Sequence, residues 1–193
     1  MLVLLRARVL ACAGLIVALG LPSAAPAQIA ASPEGGAPDI EMVGGAIYGM
    51  APTAQIVPGD EAKLIDGVAF APADAPREVQ EAIWAANEIQ DKPYIYGGGH
   101  RSFRSAGYDC SGTISYALNG GGLLSRPLDS GSFMRWGESG KGDWITVYTN
   151  PGHAFVVIAG LRLDTSGAGE KGPRWRAEKR SGRGYRLRHP EGF

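Results

Sequence analysis

The chain has 193 residues with 19 basic and 19 acidic side chains, so its formal charge is zero and neither an acidic nor a basic class is indicated. A hydrophobic share of 45% against 20% charged excludes a wholly disordered chain and allows a sizeable core. The 29 glycines are about twice the usual share but follow no Gly-X-Y period, which excludes collagen and points to a loop-rich, sheet-containing domain. Two cysteines exclude a disulfide-dense scaffold and a zinc ribbon.

Residues 1–27 read as a signal peptide. Arg6 and Arg8 supply a positive region, Val9 to Leu21 an apolar run, and Ala25-Pro26-Ala27 the small residues of a cleavage site. The apolar run is short for a bilayer-spanning helix. Export with cleavage near Gln28 is therefore expected, to the periplasm, cell envelope or exterior, with no stable membrane insertion afterwards. A lipoprotein cleaved at Cys12 is the minor alternative. Cleavage leaves one thiol, Cys110, in an oxidising compartment, where an odd cysteine is an intermolecular bridge, an inert core residue or a nucleophile.

The remaining chain is charge-asymmetric. Residues 28–109 hold 5 basic and 12 acidic residues, a net of −7, whereas 171–193 hold 8 basic and 2 acidic, a net of +6. The basic tail is read as a solvated face or an internal match for the acidic half. No nucleic-acid motif accompanies it.

Residues 28–73, rich in Ala, Gly and Pro, are expected to form a flexible leader, with short strands possible around Ile47 or Ile56. The domain proper is expected over 74–193. Asp74 and Pro76 signal a helix start, and Val79, Ala82, Ile83, Ala86 and Ile89 follow at helical spacing until Lys92-Pro93. Tyr94-Ile95-Tyr96 reads as a short β segment broken by three glycines. A second helix is expected from Asp109 to Leu118. Strands follow at Trp144–Tyr148, His153–Ile158, Leu161–Thr165 and Tyr185–Arg188. Helices first and antiparallel strands later give an α+β domain.

Asp109-Cys110-Ser111-Gly112 stands where a loop enters a helix. With Asp109 as N-cap, Cys110 takes the first helical position, where unpaired amides and the positive end of the helix dipole favour a thiolate. A thiolate nucleophile needs an imidazole, and the imidazole needs a polar group to orient it. His153 follows the turn signal Asn150-Pro151-Gly152 and opens a strand. With Ala159-Gly160 as a two-residue turn, Ile158 pairs with Leu161 and Phe155 with Asp164. Alternation then puts His153, Phe155, Arg162 and Asp164 on one face, with Asp164 the diagonal neighbour of His153. The other histidines are weaker candidates: His100 lies in the glycine loop, and His189 is a second choice for the orienting role. Trp136, Trp144 and Trp175 read as packing residues rather than a sugar platform.

Pro93-Tyr94-Ile95-Tyr96-Gly97-Gly98, Tyr108-Asp109-Cys110-Ser111-Gly112, Gly142-Asp143-Trp144-Ile145 and Gly152-His153 together resemble the NlpC/P60 family of papain-like cysteine peptidases. The resemblance covers about residues 76–193. It implies N-terminal helices packed on an antiparallel sheet, and hydrolysis of peptidoglycan stem peptides at a γ-D-glutamyl bond to a diamino acid. No metal or other cofactor is implied, and a monomer is expected. It gives Cys110 as nucleophile, His153 as general base and Asp164 as third residue. Tyr96 falls near the oxyanion, and Asp109 and Ser111 at the substrate's terminal amine. The sequence departs from the family at Asp164, where His, Asn or Gln is usual, and at Phe155, which replaces a small residue. Two alternatives accompany this reading: a papain-like cell-wall amidase or acyltransferase, and an inactive muropeptide-binding protein.

Overall fold

The structure, a computed structural model, describes residues 55–167 and 172–193. The expected signal peptide and residues 28–54 of the expected leader lie outside the described residues.

The first described segment is ordered by its own hairpin. Strands β1 (Ile56–Val57), β2 (Lys63–Ile65) and β3 (Val68–Pro72) form a three-stranded sheet in the order β1-β3-β2. Asp66 and Gly67, at φ of 50° and 80°, make the turn between β2 and β3, the conformation a two-residue hairpin demands. Ala62, Ala69 and Ala71 are buried in the main core, and the Ala62 amide donates to the Ala159 carbonyl at 2.8 Å. The domain therefore begins before residue 74, and 55–72 are not a free leader. Small alanines let this sheet lie close against its neighbours, so it needs no long apolar run to be held.

Helix α1 (Arg77–Glu88) follows and buries Val79, Ala82, Ile83 and Ala86, the stripe expected from their spacing. Its Asn87 side chain donates to the Ala69 carbonyl at 2.9 Å and accepts from the Ala69 amide at 3.2 Å, tying α1 to β3. Tyr94–Tyr96 is not a strand. Pro93 and Ile95 pair with Tyr108, and the chain then turns, with Gly98 donating to the Ile95 carbonyl.

Helix α2 (Cys110–Gly120) starts at the expected residue, capped by the Asp109 side chain on the Gly112 amide at 2.8 Å. A short helix α3 (Ser130–Phe133) comes next. Then come β4 (Glu138–Ser139), β5 (Ile145–Asn150), β6 (His153–Ile158), β7 (Leu161–Asp164), β8 (Arg174–Arg176) and β9 (Arg186–His189). These six strands form one antiparallel sheet in the order β4-β9-β5-β6-β7-β8. Beyond α2, elements α3, β4 and β8 are additions to the expected set, as β2 and β3 are before α1; α3, β4 and β8 are four residues or fewer, too short for periodicity to register.

Alternation divides the large sheet into two faces. Ile145, Val147, Val156, Ile158, Leu163 and Trp175 join Ile83, Ile114 and Leu118 of the helices in the core. The fold is thus the α+β arrangement expected, helices on one face of an antiparallel sheet. The opposite face carries Thr146, Tyr148, His153, Phe155, Arg162 and Asp164. It is not bare. β8 is an edge strand, while β9 lies between β4 and β5. Residues 177–185 therefore pass across β7, β6 and β5, forming a strap over this outer face with a cavity of about 310 Å³ beneath it.

Candidate active site

The thiol end of the site is built by close backbone approach. A Cβ on Gly112 would run into the Gly98 carbonyl, so only glycine lets the 97–99 loop lie against the start of α2. Asp109 knits the two together. Its Oδ1 accepts from the Gly112 amide at 2.8 Å and from the Ser111 hydroxyl at 3.2 Å, and its Oδ2 from the Gly97 amide at 3.0 Å. His100 Nε2 lies 2.9 Å from Oδ2 and 3.0 Å from both Oδ1 and Ser111 Oγ. Asp109 is buried. Its observed work is to cap α2 and hold the glycine loop and His100.

Cys110 follows at the first helical position, partly buried and unbridged. Its amide is one of the first-turn N–H groups with no intrahelical carbonyl to bond.

The imidazole is positioned from the other side. Asn150 Oδ1 accepts from the amides of Gly152 and His153, both at 2.9 Å, closing the tight turn between β5 and β6. The β6–β7 hairpin has the expected register, with Ile158 opposite Leu161 and Val156 opposite Leu163. Ala159 and Gly160 form its turn at φ of 44° and 90°. This brings His153 Nε2 to 3.0 Å from Asp164 Oδ1. With Nε2 so engaged, Nδ1 is the nitrogen left for Cys110.

Burial works against a charge on His153, but hydrogen bonds and charge from Asp164 and Cys110 prevail and push its pKa up to about 9. Asp164 has the complementary balance. Burial tends to raise its pKa, yet the contacts from His153, the Ser166 amide and Arg180 hold it below the usual carboxylate range. At neutral pH the pair is therefore an imidazolium facing a carboxylate.

Three further residues contribute; the hairpin register already set Ser166 opposite His153, whereas Arg180 and Tyr185 were not legible in the sequence. Ser166 donates from its amide at 2.9 Å and its hydroxyl at 3.1 Å to Asp164 Oδ1. Arg180, from the strap, donates to Asp164 Oδ2 at 2.8 Å. Tyr185 stands edge-on to His153 at 6.5 Å and to Phe155 at 5.2 Å between ring centres. Phe155, the bulky departure, stacks on Tyr148 at 4.6 Å and lies under the Arg180 guanidinium at 5.3 Å. No local motif marks Arg180; only the strand order brings it over the site.

Tyr96 lies at the surface. It sits at the corner of the Ile95–Gly98 turn, followed by Gly97 at φ 72°, and is 90% exposed. Tyr94 is the tyrosine that feels the site: burial first, then Cys110, Asp109 and Tyr96, push its phenol pKa up. His189 lies apart from the imidazole–carboxylate pair, with Nε2 3.9 Å from Glu138 and Nδ1 3.1 Å from the Pro190 carbonyl. It is Asp164 that meets His153. Among the described residues no group of three or more His, Cys, Asp or Glu is arranged to hold a metal. Nor is any described helix long and apolar enough to cross a membrane.

No family model matches the chain, and no curated protein does. Solved structures do match. A hypothetical invasion protein of Mycobacterium tuberculosis is 24% identical, over 61% of this chain and 66% of its own, at a TM-score of 0.45. The chain thus spans just under two thirds of that protein's length. The peptidoglycan hydrolase RipB of the same organism is 23% identical over 60% of this chain and 68% of its own, at a TM-score of 0.47. RipD, described as a non-catalytic NlpC/p60 domain protein adapted to peptidoglycan binding, is 19% identical over 60% and 98%, at a TM-score of 0.45. NlpC/P60 domain proteins recur among these structural neighbours.

Proposed function

We propose that the chain is an exported cysteine peptidase of the NlpC/P60 type that hydrolyses peptidoglycan stem peptides. The observation that carries the reading is the relay from a helix-N-terminal thiol through His153 to a buried carboxylate, with Nε2 3.0 Å from Asp164. A non-catalytic binder has no need of this alignment. Substrate class and export rest on the sequence resemblance and the signal segment.

In this reading the His153 imidazolium carries the proton given up by Cys110, and Sγ attacks the scissile carbonyl carbon. The Cys110 amide faces the developing oxyanion, and Tyr94 takes the place first given to Tyr96. The imidazolium returns its proton to the leaving amine as the C–N bond breaks, leaving a thioester on Cys110. His153 then draws a proton from water, which attacks the thioester, and the acid product leaves with the thiol restored. Asp164 keeps Nδ1 aimed at sulfur and supports the imidazolium at both stages. Ser111 and His100 border the substrate's amino end.

The test is mass spectrometry of muropeptides incubated with wild type and Cys110→Ala. Peptides released by cleavage between D-glutamate and the diamino acid, in the wild type alone, are expected. Release of sugar from alanine would make the protein an amidase. Intact muropeptides in both samples, or cleavage by the alanine variant, would overturn the peptidase reading.

A further inference from the structure

The basic tail places one of its charges inside the site. Arg180 Nη1 donates to Asp164 Oδ2 at 2.8 Å and to Ser166 Oγ at 2.6 Å, while Nη2 donates to Tyr185 OH at 3.1 Å. The planar guanidinium also lies over Phe155 and, at 5.8 Å, over Tyr185. A planar fork held at both edges and on its face has little freedom to turn. We propose that Arg180 is a positioning residue of this site, which fixes the Asp164 carboxylate against His153 and limits how tightly that carboxylate holds the imidazole's proton. The proposal rests on the reading of Cys110 and His153 as the reacting pair.

The two carboxylate oxygens have separate tasks. Oδ1 receives His153 and both Ser166 donors, whereas Oδ2 faces Arg180 and, at 3.6 Å, Arg162 Nε. Rotation of the carboxylate would break both sets, so Arg180 holds Oδ1 on the imidazole. The electrostatic effect is separate from this geometric one. Asp164 has no exposed side-chain surface, and a buried carboxylate facing one imidazolium alone would bind its proton strongly. Arg180 shares that carboxylate and stands 3.5 Å from His153 Nε2, where its positive charge opposes the imidazolium directly. The other groups around the pair are Cys110 from α2, Tyr185 from the strap, Arg162 from β7 and Arg174, which stands opposite Asp164 on β8. Arg162 in turn faces Arg176 and Glu178.

Loss of Arg180 has a defined sign. Without its charge the Asp164 carboxylate takes a proton more readily, and the His153 imidazolium gives one up less readily. Both limbs of a pH profile therefore move to higher pH. The experiment uses the full chain and the variants Arg180→Gln and Arg180→Lys. Alkylation of Cys110 by iodoacetate, an anion drawn by the His153 imidazolium and slowed once that charge is lost, is followed against pH, with peptide mass spectrometry separating Cys110 from Cys12. Arg180→Gln is expected to move both limbs upward by about one pH unit, while Arg180→Lys leaves them in place and slows alkylation severalfold.

Limbs that stay put in a folded Arg180→Gln protein overturn the proposal. Should Arg180→Gln fail to fold, Arg180→Lys decides: limbs that shift although the charge is kept overturn it equally. A wild-type Cys110 that does not alkylate at any pH sinks the reacting pair and this proposal together. A reactive Cys110 with unmoved limbs sinks this proposal alone.

Discussion

Asp164 lies between His153, Arg180 and Arg162 with no exposed side-chain surface. Removing it strands positive charges in a buried place. Asp164→Ala is therefore expected to cost about 3–5 kcal/mol in urea unfolding, more than a surface ion pair would. Asp164→Asn keeps the shape and is expected to fold, with peptide hydrolysis down on the order of 100-fold or more. His153 makes stability pH-dependent. Its folded pKa of about 9 exceeds the ordinary 6.5, so its contribution is complete below about 6.5 and lost as pH rises through 9. The Tm should accordingly fall between pH 7 and 9.5, and His153→Phe should flatten that decline. Cys110, His153 and Asp164 were all readable because each sits beside a local signal: a cap, a turn, and a strand in register. Arg180 lies 16 residues beyond Asp164, in a basic run that looks like any solvated tail.

Among the elements, the hairpins were legible and the loops were not. The β6–β7 register follows from two turn residues and strict alternation, and a shift by one residue would turn Asp164 away from His153. The orientation of Tyr94 and Tyr96 depends on the Gly97 turn, which composition announces but does not aim. The same loop makes the start of α2 vulnerable. Gly112→Ala sets a methyl against the Gly98 carbonyl and should destabilise by about 1–3 kcal/mol. It should also slow Cys110 alkylation, because the loop and the helix start cannot both keep their places. Thermal unfolding and thiol labelling of the same sample check both outcomes.

For the molecule as a whole, the largest correction is the extent of the domain. Residues 55–72 read as linker because their apolar residues are small and show no long period, although Asp66-Gly67 between short β-prone runs was a hairpin signal. Their alanines are in the core, and Trp84 and Asn87 of α1 reach Gln55 through Trp84 Nε1 on its carbonyl and Asn87 Nδ2 on its side chain. A chain starting at residue 74 is therefore expected to lose solubility or melt well below one starting at residue 46. Equal Tm for the two would show this sheet to be an ornament. The large sheet was foreseen in its strands but not in their order, since sequence marks where a strand runs rather than which neighbour it takes.

That order has a temporal side. β5 must wait for its second partner: β9 arrives 36 residues after β5 ends, and only then does the strap lie across His153 and Asp164. A ribosome extending the chain from its N-terminal end thus makes the thiol long before it makes the arginine that steadies its relay. Until β9 docks, the nascent peptide holds an incomplete sheet and an unassembled site. Such a state postpones any chemistry of the thiol until the last long-range strand of the sheet is made.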